Sequence, residues 1–130
     1  MKIKLTDDSK ADVITLFSEY DDFIMEFLGD DKVYYKRYHS NEKLEPIWVA
    51  HCGEIPVGCV AFRRIDSETG EVKRLFVRDE YWGKGVSKSL LSVVVNYAKE
   101  NDYKRLCLDT RITLEPAVSL YRSFGFVDIY

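Results

Sequence analysis

The amino-acid sequence predicts one small domain of the α/β (α+β) class, with a mixed, mostly antiparallel sheet flanked by helices. The chain has 130 residues, about the length of one packed domain, and contains no repeat or linker, so we place a single domain over residues 1–130. Apolar residues recur at helical spacing near the start of the chain and again after residue 85. Between these stretches, apolar runs with a period of two are joined by connections so short that the strands must pair antiparallel.

The first predicted elements are a short strand over residues 3–5 and a helix. Residues 6–9 offer side chains that cap a helix, with acid in the first turn. Apolar residues three or four apart indicate the helix itself: Val13, Leu16, Phe17, Tyr20, Ile24 and Phe27. Gly29 can end this helix. Residues 30–44 are ambiguous, with a second short helix as one option.

Three strands follow, and they form the predicted antiparallel meander. The alternating apolar pattern places them over residues 47–52, 57–65 and 71–77. Residues 53–56 and 66–70 are rich in turn-forming side chains and separate the strands.

The C-terminal part predicts two helices and two further strands. The first helix opens after Gly85, presents one apolar face and stops at Asn101 in a left-handed conformation. That face consists of Val86, Leu90, Val94, Tyr97 and Ala98. A strand over residues 105–109 follows, then a helix capped by Thr113 and a last strand over residues 126–130.

Composition argues against several functional classes. A net charge of −3 argues against a nucleic-acid partner. The chain has neither an apolar leader nor the roughly 20-residue apolar run of a membrane span, so we expect a cytoplasmic protein without a membrane partner. Cys52, Cys59 and Cys107 form no CxxC pair, and His39 and His51 lack partners at metal spacing. We therefore expect reduced core thiols and no metal site.

The most informative stretch is an apolar strand that runs into a glycine-containing turn and then a helix. The free N–H groups and the positive dipole end of a helix start bind anions, and glycine lets a phosphate approach the main chain. Five basic residues against three acids lie over residues 71–88, which suits an anionic ligand. A dinucleotide motif would need glycine at Lys88, and a P-loop needs a wider glycine spacing, so both nucleotide alternatives fail.

Read together, two segments resemble the GNAT family of N-acetyltransferases. Residues 71–91 are similar to its acetyl-CoA motif, an EIKRLYV-like strand leading into (Q/R)xxGx(G/A) and a leucine pair, here Leu90 and Leu91. Residues 117–126 resemble the family segment A-x-x-L-Y-x-x-x-G-F. The resemblance covers residues 47–130. It implies a GNAT-like fold and direct transfer of an acetyl group from acetyl-CoA, as co-substrate, to a primary amine.

The resemblance also implies which residues bind acetyl-CoA. The pantetheine arm would pair with the main chain of Leu75 and Val77, and a strand N–H near Leu75 or Phe76 would polarise the thioester carbonyl. The pyrophosphate would meet the N–H groups of the turn and helix start. The turn and helix-start residues expected at the cofactor are Trp82, Gly83, Lys84, Gly85, Val86, Ser87 and Lys88.

Two catalytic residues are carried over from the resemblance. Glu71 matches a glutamate that acts as a base in many relatives, directly or through water; the alternative is a solvated carboxylate paired with Lys73 or Arg105. Tyr121 matches a tyrosine that protonates the departing thiolate; the alternative is a tyrosine packed in the core.

The acceptor side is less defined. The resemblance implies that the first helices line it, which would offer Tyr20, Phe23, Tyr34 and Tyr35 to a small-molecule or peptide amine. Nine acids against three lysines over residues 1–31 could attract a cationic amine. The acids could equally be a solvated helix face, and the tyrosines could belong to the core.

The sequence departs from the family pattern at several points. Trp82 replaces the usual Arg or Gln, Ser87 replaces Gly or Ala, and Leu114 stands where many members have asparagine. The family pattern continues with another strand, so we expect a sheet that lacks this strand. Either further chain or a neighbouring molecule, as in a homodimer, would cover the edge of that sheet. A non-catalytic acyl-CoA-binding regulatory module and a transferase for longer acyl groups remain alternatives.

Overall fold

The computed structural model describes residues 1–28, 43–108 and 120–127. Within these ranges, five strands form one central sheet in sequential order. The strands are β1 (Lys2–Thr6), β2 (Ile47–Cys52), β3 (Ile55–Arg64), β4 (Thr69–Val77) and β5 (Arg105–Cys107). Neighbours pair antiparallel except β4 and β5, which are parallel. The predicted meander and the mixed, mostly antiparallel sheet are therefore confirmed.

Helices cover both faces of this sheet. Helix α1 (Ala11–Leu28) follows β1, and α2 (Val86–Glu100) connects β4 to β5. Because successive strand side chains point to opposite faces, the core divides into two clusters. The α1 cluster contains Val13, Leu16, Ile47, Val49, Cys59 and Ala61. The α2 cluster includes Val57, Val60, Phe62, Val72, Leu90, Leu91 and Val94.

Several boundaries differ from the sequence predictions. Strands β3 and β4 each begin two residues early, at Ile55 and Thr69, because the turns before them are tighter than predicted. Asn101 ends α2 with an ordinary φ of −103°, and the left-handed residue is Asp102 with φ 63°. A short 3-10 helix, Asp79–Tyr81, was not predicted.

Some predictions fall on residues that the structure does not describe. Gly29 and residues 30–42, Asp109, and the cap and first turn of the final helix from Thr113 lie outside the described ranges. Residues 120–123 are helical. Phe126 was predicted to begin a strand, but it lies outside any strand. Its N–H donates to the Tyr121 carbonyl at 3.3 Å, because the chain closes back on the preceding helix. The rest of that predicted strand, residues 128–130, is not described.

Two features are absent from residues 1–28, 43–108 and 120–127. Over these ranges, none of the helices combines the length and apolar character that a membrane span requires. The same ranges bring together no group of three His, Cys, Asp or Glu side chains that could hold a metal ion.

Candidate active site

A β-bulge interrupts the middle of β4. The pairing passes from Cys59 opposite Phe76 to Ala61 opposite Lys73, so β4 contributes one residue more than β3 over this interval. Arg74 lies in the bulge with φ 52°, a left-handed conformation that is uncommon for a residue other than glycine. The bulge locally disrupts the ladder and bends the strand.

After Glu71, one side of β4 has no strand partner among residues 1–28, 43–108 and 120–127. The parallel pairing with β5 covers only residues 69–71 of β4. The main chain of Val77 faces this open side, because the N–H of Arg78, one residue later, donates to the Val57 carbonyl of β3 at 2.9 Å. A strand-like ligand could therefore pair with main-chain groups on this side of β4, although the Val77 carbonyl already accepts a hydrogen bond from the Trp82 indole N–H at 2.7 Å.

The turn that leads from β4 into α2 is built on two glycines in left-handed conformations. Gly83 has φ 77° and Gly85, the N-cap of α2, has φ 80°. A Cβ atom built at either glycine would meet nothing within 4 Å, so both face open space. Alanine there would suffer backbone strain and would also reach into that space.

The N–H groups of residues 83–88 are the main feature of this turn. Within the part of the chain that the structure describes, none of the six donates a hydrogen bond, whereas the preceding N–H of Trp82 donates to the Asp79 carbonyl at 3.2 Å. The first N–H groups of a helix lack intrahelical partners and lie at the positive end of its dipole. An anion with several oxygens fits such a cradle.

The positive charge near the turn is smaller than the sequence count indicated. Lys84 belongs to the turn, and its ammonium lies 5.3 Å from the centre of the Tyr81 ring. Arg74 and Arg78 instead bind carboxylates of α1, and Lys73 is buried. The count of five basic residues therefore overstated the positive charge at the turn, where the main-chain N–H groups, Lys84 and Lys88 remain as groups that suit an anion.

Glu71 lies where β5 stops pairing with β4. It is the last residue of β4 in that ladder, opposite Cys107. Its carboxylate accepts a hydrogen bond from Arg63 of β3 at 3.1 Å, and its side chain is 13% exposed. The expected partners Lys73 and Arg105 are thus replaced by Arg63, since a cross-strand neighbour on the same face is closer. Burial, together with the Glu71 charge, raises the pKa of the Cys107 thiol.

Tyr121 is buried in the α2 cluster, which also contains Val77 and Val86. Its ring meets Phe126 edge-on, with centroids 6.3 Å apart. This buried position agrees with the alternative that Tyr121 packs in the core. It also places the tyrosine in the cluster that packs under the end of β4 and the start of α2.

The proposed acceptor side is lined by α1. Tyr20 and Phe23 pack against Phe76 of β4, with ring centroids 6.1 and 6.4 Å apart. Tyr34 and Tyr35 lie outside the described residues. The main chain of Phe76 faces β3, because a Cβ on Gly58 would approach the Phe76 carbonyl oxygen to 2.8 Å.

Three acids of α1 pair with basic residues in the sheet or directly after β4, which neither interpretation of the acidic segment anticipated. The closest contacts join Asp12 with His51 at 2.9 Å, Glu19 with Arg78 at 2.6 Å, and Asp21 with Arg74 at 2.8 Å. The Glu19 carboxylate raises the pKa of Arg78 by hydrogen bonding. Sequence reasoning missed these partners because residues 39 to 59 positions apart carry no periodic pattern.

The sequence profile of the acetyltransferase (GNAT) family matches residues 13–126. The chain belongs to the GNAT family. Among its relatives is the uncharacterized N-acetyltransferase YsnE of Bacillus subtilis, which is 37% identical over 81 residues, 61% of this chain and 54% of YsnE. Human N-acetyltransferase 8 is 34% identical over 93 residues, 68% of this chain and 41% of that protein. The chain thus spans about half the length of these relatives.

A solved structure of the same family supports the fold. A GNAT family acetyltransferase from Elizabethkingia anophelis, with acetyl-CoA bound, matches with a TM-score of 0.72 over 99% of this chain and 77% of its own length. The two sequences are 21% identical, so the likeness concerns the fold. The GNAT-like fold expected from the two sequence segments is confirmed.

Proposed function

We propose that this GNAT family member is an N-acetyltransferase that moves an acetyl group directly from acetyl-CoA to a primary amine. The observation that carries the proposal is the row of six N–H groups at residues 83–88 without a hydrogen bond in the described structure. Family membership and the acetyl-CoA bound to the Elizabethkingia relative support acetyl-CoA as the donor.

The turn and the open edge of β4 would share the binding of acetyl-CoA. The N–H groups of residues 83–88 would hold the pyrophosphate, with Lys84 and Lys88 adding charge. The pantetheine arm would pair with the main chain of Leu75 and Val77, on the side that β5 leaves open. The fit is supported by the open space that a Cβ on Gly83 or Gly85 would face.

Three groups of this chain would act on the reacting atoms. Bound acetyl-CoA supplies an activated thioester. The Leu75 N–H would polarise its carbonyl, because the main chain of Phe76 faces β3; removal of one such donor raises a barrier by about 3–4 kcal/mol in other enzymes. Glu71 would take a proton from the amine, directly or through water, and Tyr121 would give a proton to the departing sulfur.

The acceptor would approach from the α1 side of the sheet. Tyr20 and Phe23, both on α1 and against Phe76, would line this approach. Arg74 and Arg78 neutralise Asp21 and Glu19, so fewer carboxylates are available to attract an amine than the sequence count of nine acids indicated. A small-molecule amine or a peptide amine remains the expected acceptor class.

The proposal is tested by an acetyl-CoA turnover screen against a panel of amines, following thiol release. We expect amine-dependent formation of free CoA and of the acetylated amine, detected by mass spectrometry. Tight binding of acetyl-CoA without turnover on any amine would contradict the enzymatic proposal and favour the regulatory module. Faster turnover with longer acyl-CoA donors would correct the acyl group but keep the reaction class.

A further inference from the structure

The Trp82 side chain makes a hydrogen bond to the end of β4. Its indole N–H reaches back over the 3-10 helix Asp79–Tyr81 and donates to the Val77 carbonyl at 2.7 Å. The residue is 52% exposed, so burial does not hold the ring in this place. One short hydrogen bond thus holds a large exposed side chain against the end of β4.

The Val77 carbonyl belongs to the open edge of β4. The neighbouring carbonyl of Phe76 faces β3, since a Cβ on Gly58 would lie 2.8 Å from it, and the Arg78 N–H also bonds to β3. Main-chain groups alternate in direction along a strand, so the Val77 carbonyl between them faces the side that β5 leaves free. The indole therefore occupies a main-chain acceptor on the edge to which a strand-like ligand would bind.

We propose that the Trp82 side chain occupies the pantetheine-binding edge of β4 and is displaced when a pantetheine arm binds. The proposal rests on the proposed function, in which the pantetheine amides pair with Leu75 and Val77. The indole N–H and a pantetheine amide N–H are donors of the same kind competing for one acceptor. The nucleotide part of CoA, held at residues 83–88, has no such conflict.

Competition for the Val77 carbonyl lowers the affinity for the arm but not for the nucleotide. The hydrogen bond from the indole must be given up before the arm can pair, and a net hydrogen bond corresponds to about a two- to tenfold change in an equilibrium constant. Phenylalanine keeps an aromatic ring but has no N–H. Trp82→Phe should therefore bind CoA about two- to tenfold more tightly.

The first experiment follows the fluorescence of Trp82. The other tryptophan, Trp48, is buried, and Trp82→Phe reports its emission alone, so the difference between wild type and variant isolates Trp82. CoA should shift the emission of Trp82 and change its quenching by iodide. 3′-Phosphoadenosine 5′-diphosphate, which keeps both phosphates of the pyrophosphate but lacks the arm, should bind and leave both unchanged.

The second experiment measures the affinity of both ligands by calorimetry. Trp82→Phe should lower the Kd of CoA about two- to tenfold and leave that of 3′-phosphoadenosine 5′-diphosphate unchanged. Unchanged Trp82 emission on CoA binding, or equal CoA affinity in wild type and variant, would overturn the role of Trp82 while leaving acetyl-CoA binding intact. Absence of any CoA binding to the wild type would overturn this role and the proposed function together.

Discussion

The turns before and after β4 differ in how far their main-chain groups are hydrogen-bonded within the protein. At the N-terminal end, the Asp66 carboxylate accepts the N–H groups of Glu68 and Thr69, both at 2.8 Å. The Thr69 carbonyl accepts the N–H of Ile65 at 2.9 Å, and the Glu68 carbonyl accepts the N–H groups of Lys104 and Arg105, where β5 begins. We call this the closed turn, because its main-chain groups are bonded within the protein.

The open turn, residues 82–88, has the opposite arrangement. Its six N–H groups from residues 83–88 have no hydrogen-bond partner in the described structure, and Gly83 and Gly85 face open space. Exposed donors gathered at one helix start are suited to an anionic ligand, whereas a satisfied turn is suited to joining strands. On the proposed function, the closed turn is structural and the open turn binds the ligand, and Glu71 and the bulge lie between them.

The largest expected effect is that of removing the proposed proton donor. Tyr121→Phe should lower kcat roughly a hundredfold, because the departing thiolate loses its acid, while CoA affinity stays unchanged. The measurement is steady-state turnover with the best amine from the panel. Tyr97→Phe is the matched control, since Tyr97 packs against the same cluster. Normal turnover of Tyr121→Phe would defeat the assignment.

The next prediction concerns Glu71, the proposed base, which lies between the closed turn and the open turn. Glu71→Gln keeps the shape and an acceptor for Arg63 but cannot take a proton. Turnover should therefore fall most at low pH, roughly a hundredfold, and recover as the amine deprotonates in solution. Glu68→Gln, which also removes a carboxylate paired with an arginine, should leave the pH–rate profile unchanged. An unaltered profile for Glu71→Gln would remove it from the mechanism.

The open turn is tested directly by Gly85→Ala. The methyl group would face the anion's space on a left-handed residue, so we expect the Kd of CoA to rise about tenfold or more, as loss of one charge-assisted hydrogen bond predicts. Gly53→Ala is the matched control, because Gly53 also has a positive φ, 62°, and open space at its Cβ. Calorimetry should show normal CoA affinity for this control; equal losses in both variants would indicate general strain instead.

The closed turn should affect stability alone. The hydrogen bond from Glu68 N–H, more than any other cause, lowers the pKa of Asp66 in the folded state. Its contribution is therefore complete above the unfolded value of 3.8 and is lost as the pH falls through the lower folded pKa. Asp66→Asn should lower Tm by a few degrees at neutral pH, with a difference that shrinks in acid. Altered CoA affinity would contradict the separation of the two turns.

The sequence predicted the local parts of this arrangement. Short connections determine the meander, and Gly83 and Gly85 predict the turn because glycine readily adopts a positive φ. The bulge was not predicted, since Arg74 carries no sign that it adopts a left-handed conformation. The partners Arg63 of Glu71 and Arg78 of Glu19 were missed as well, because strand register and helix docking decide which charges meet.

The central claim is that the N–H groups of residues 83–88 bind the pyrophosphate of acetyl-CoA. Amide NMR spectra recorded during an acetyl-CoA titration test it most directly, with the closed turn as internal reference. We predict that the amide resonances of residues 83–88 shift strongly, whereas those of Glu68 and Thr69 do not move. Saturable binding that leaves the resonances of residues 83–88 in place would contradict the claim.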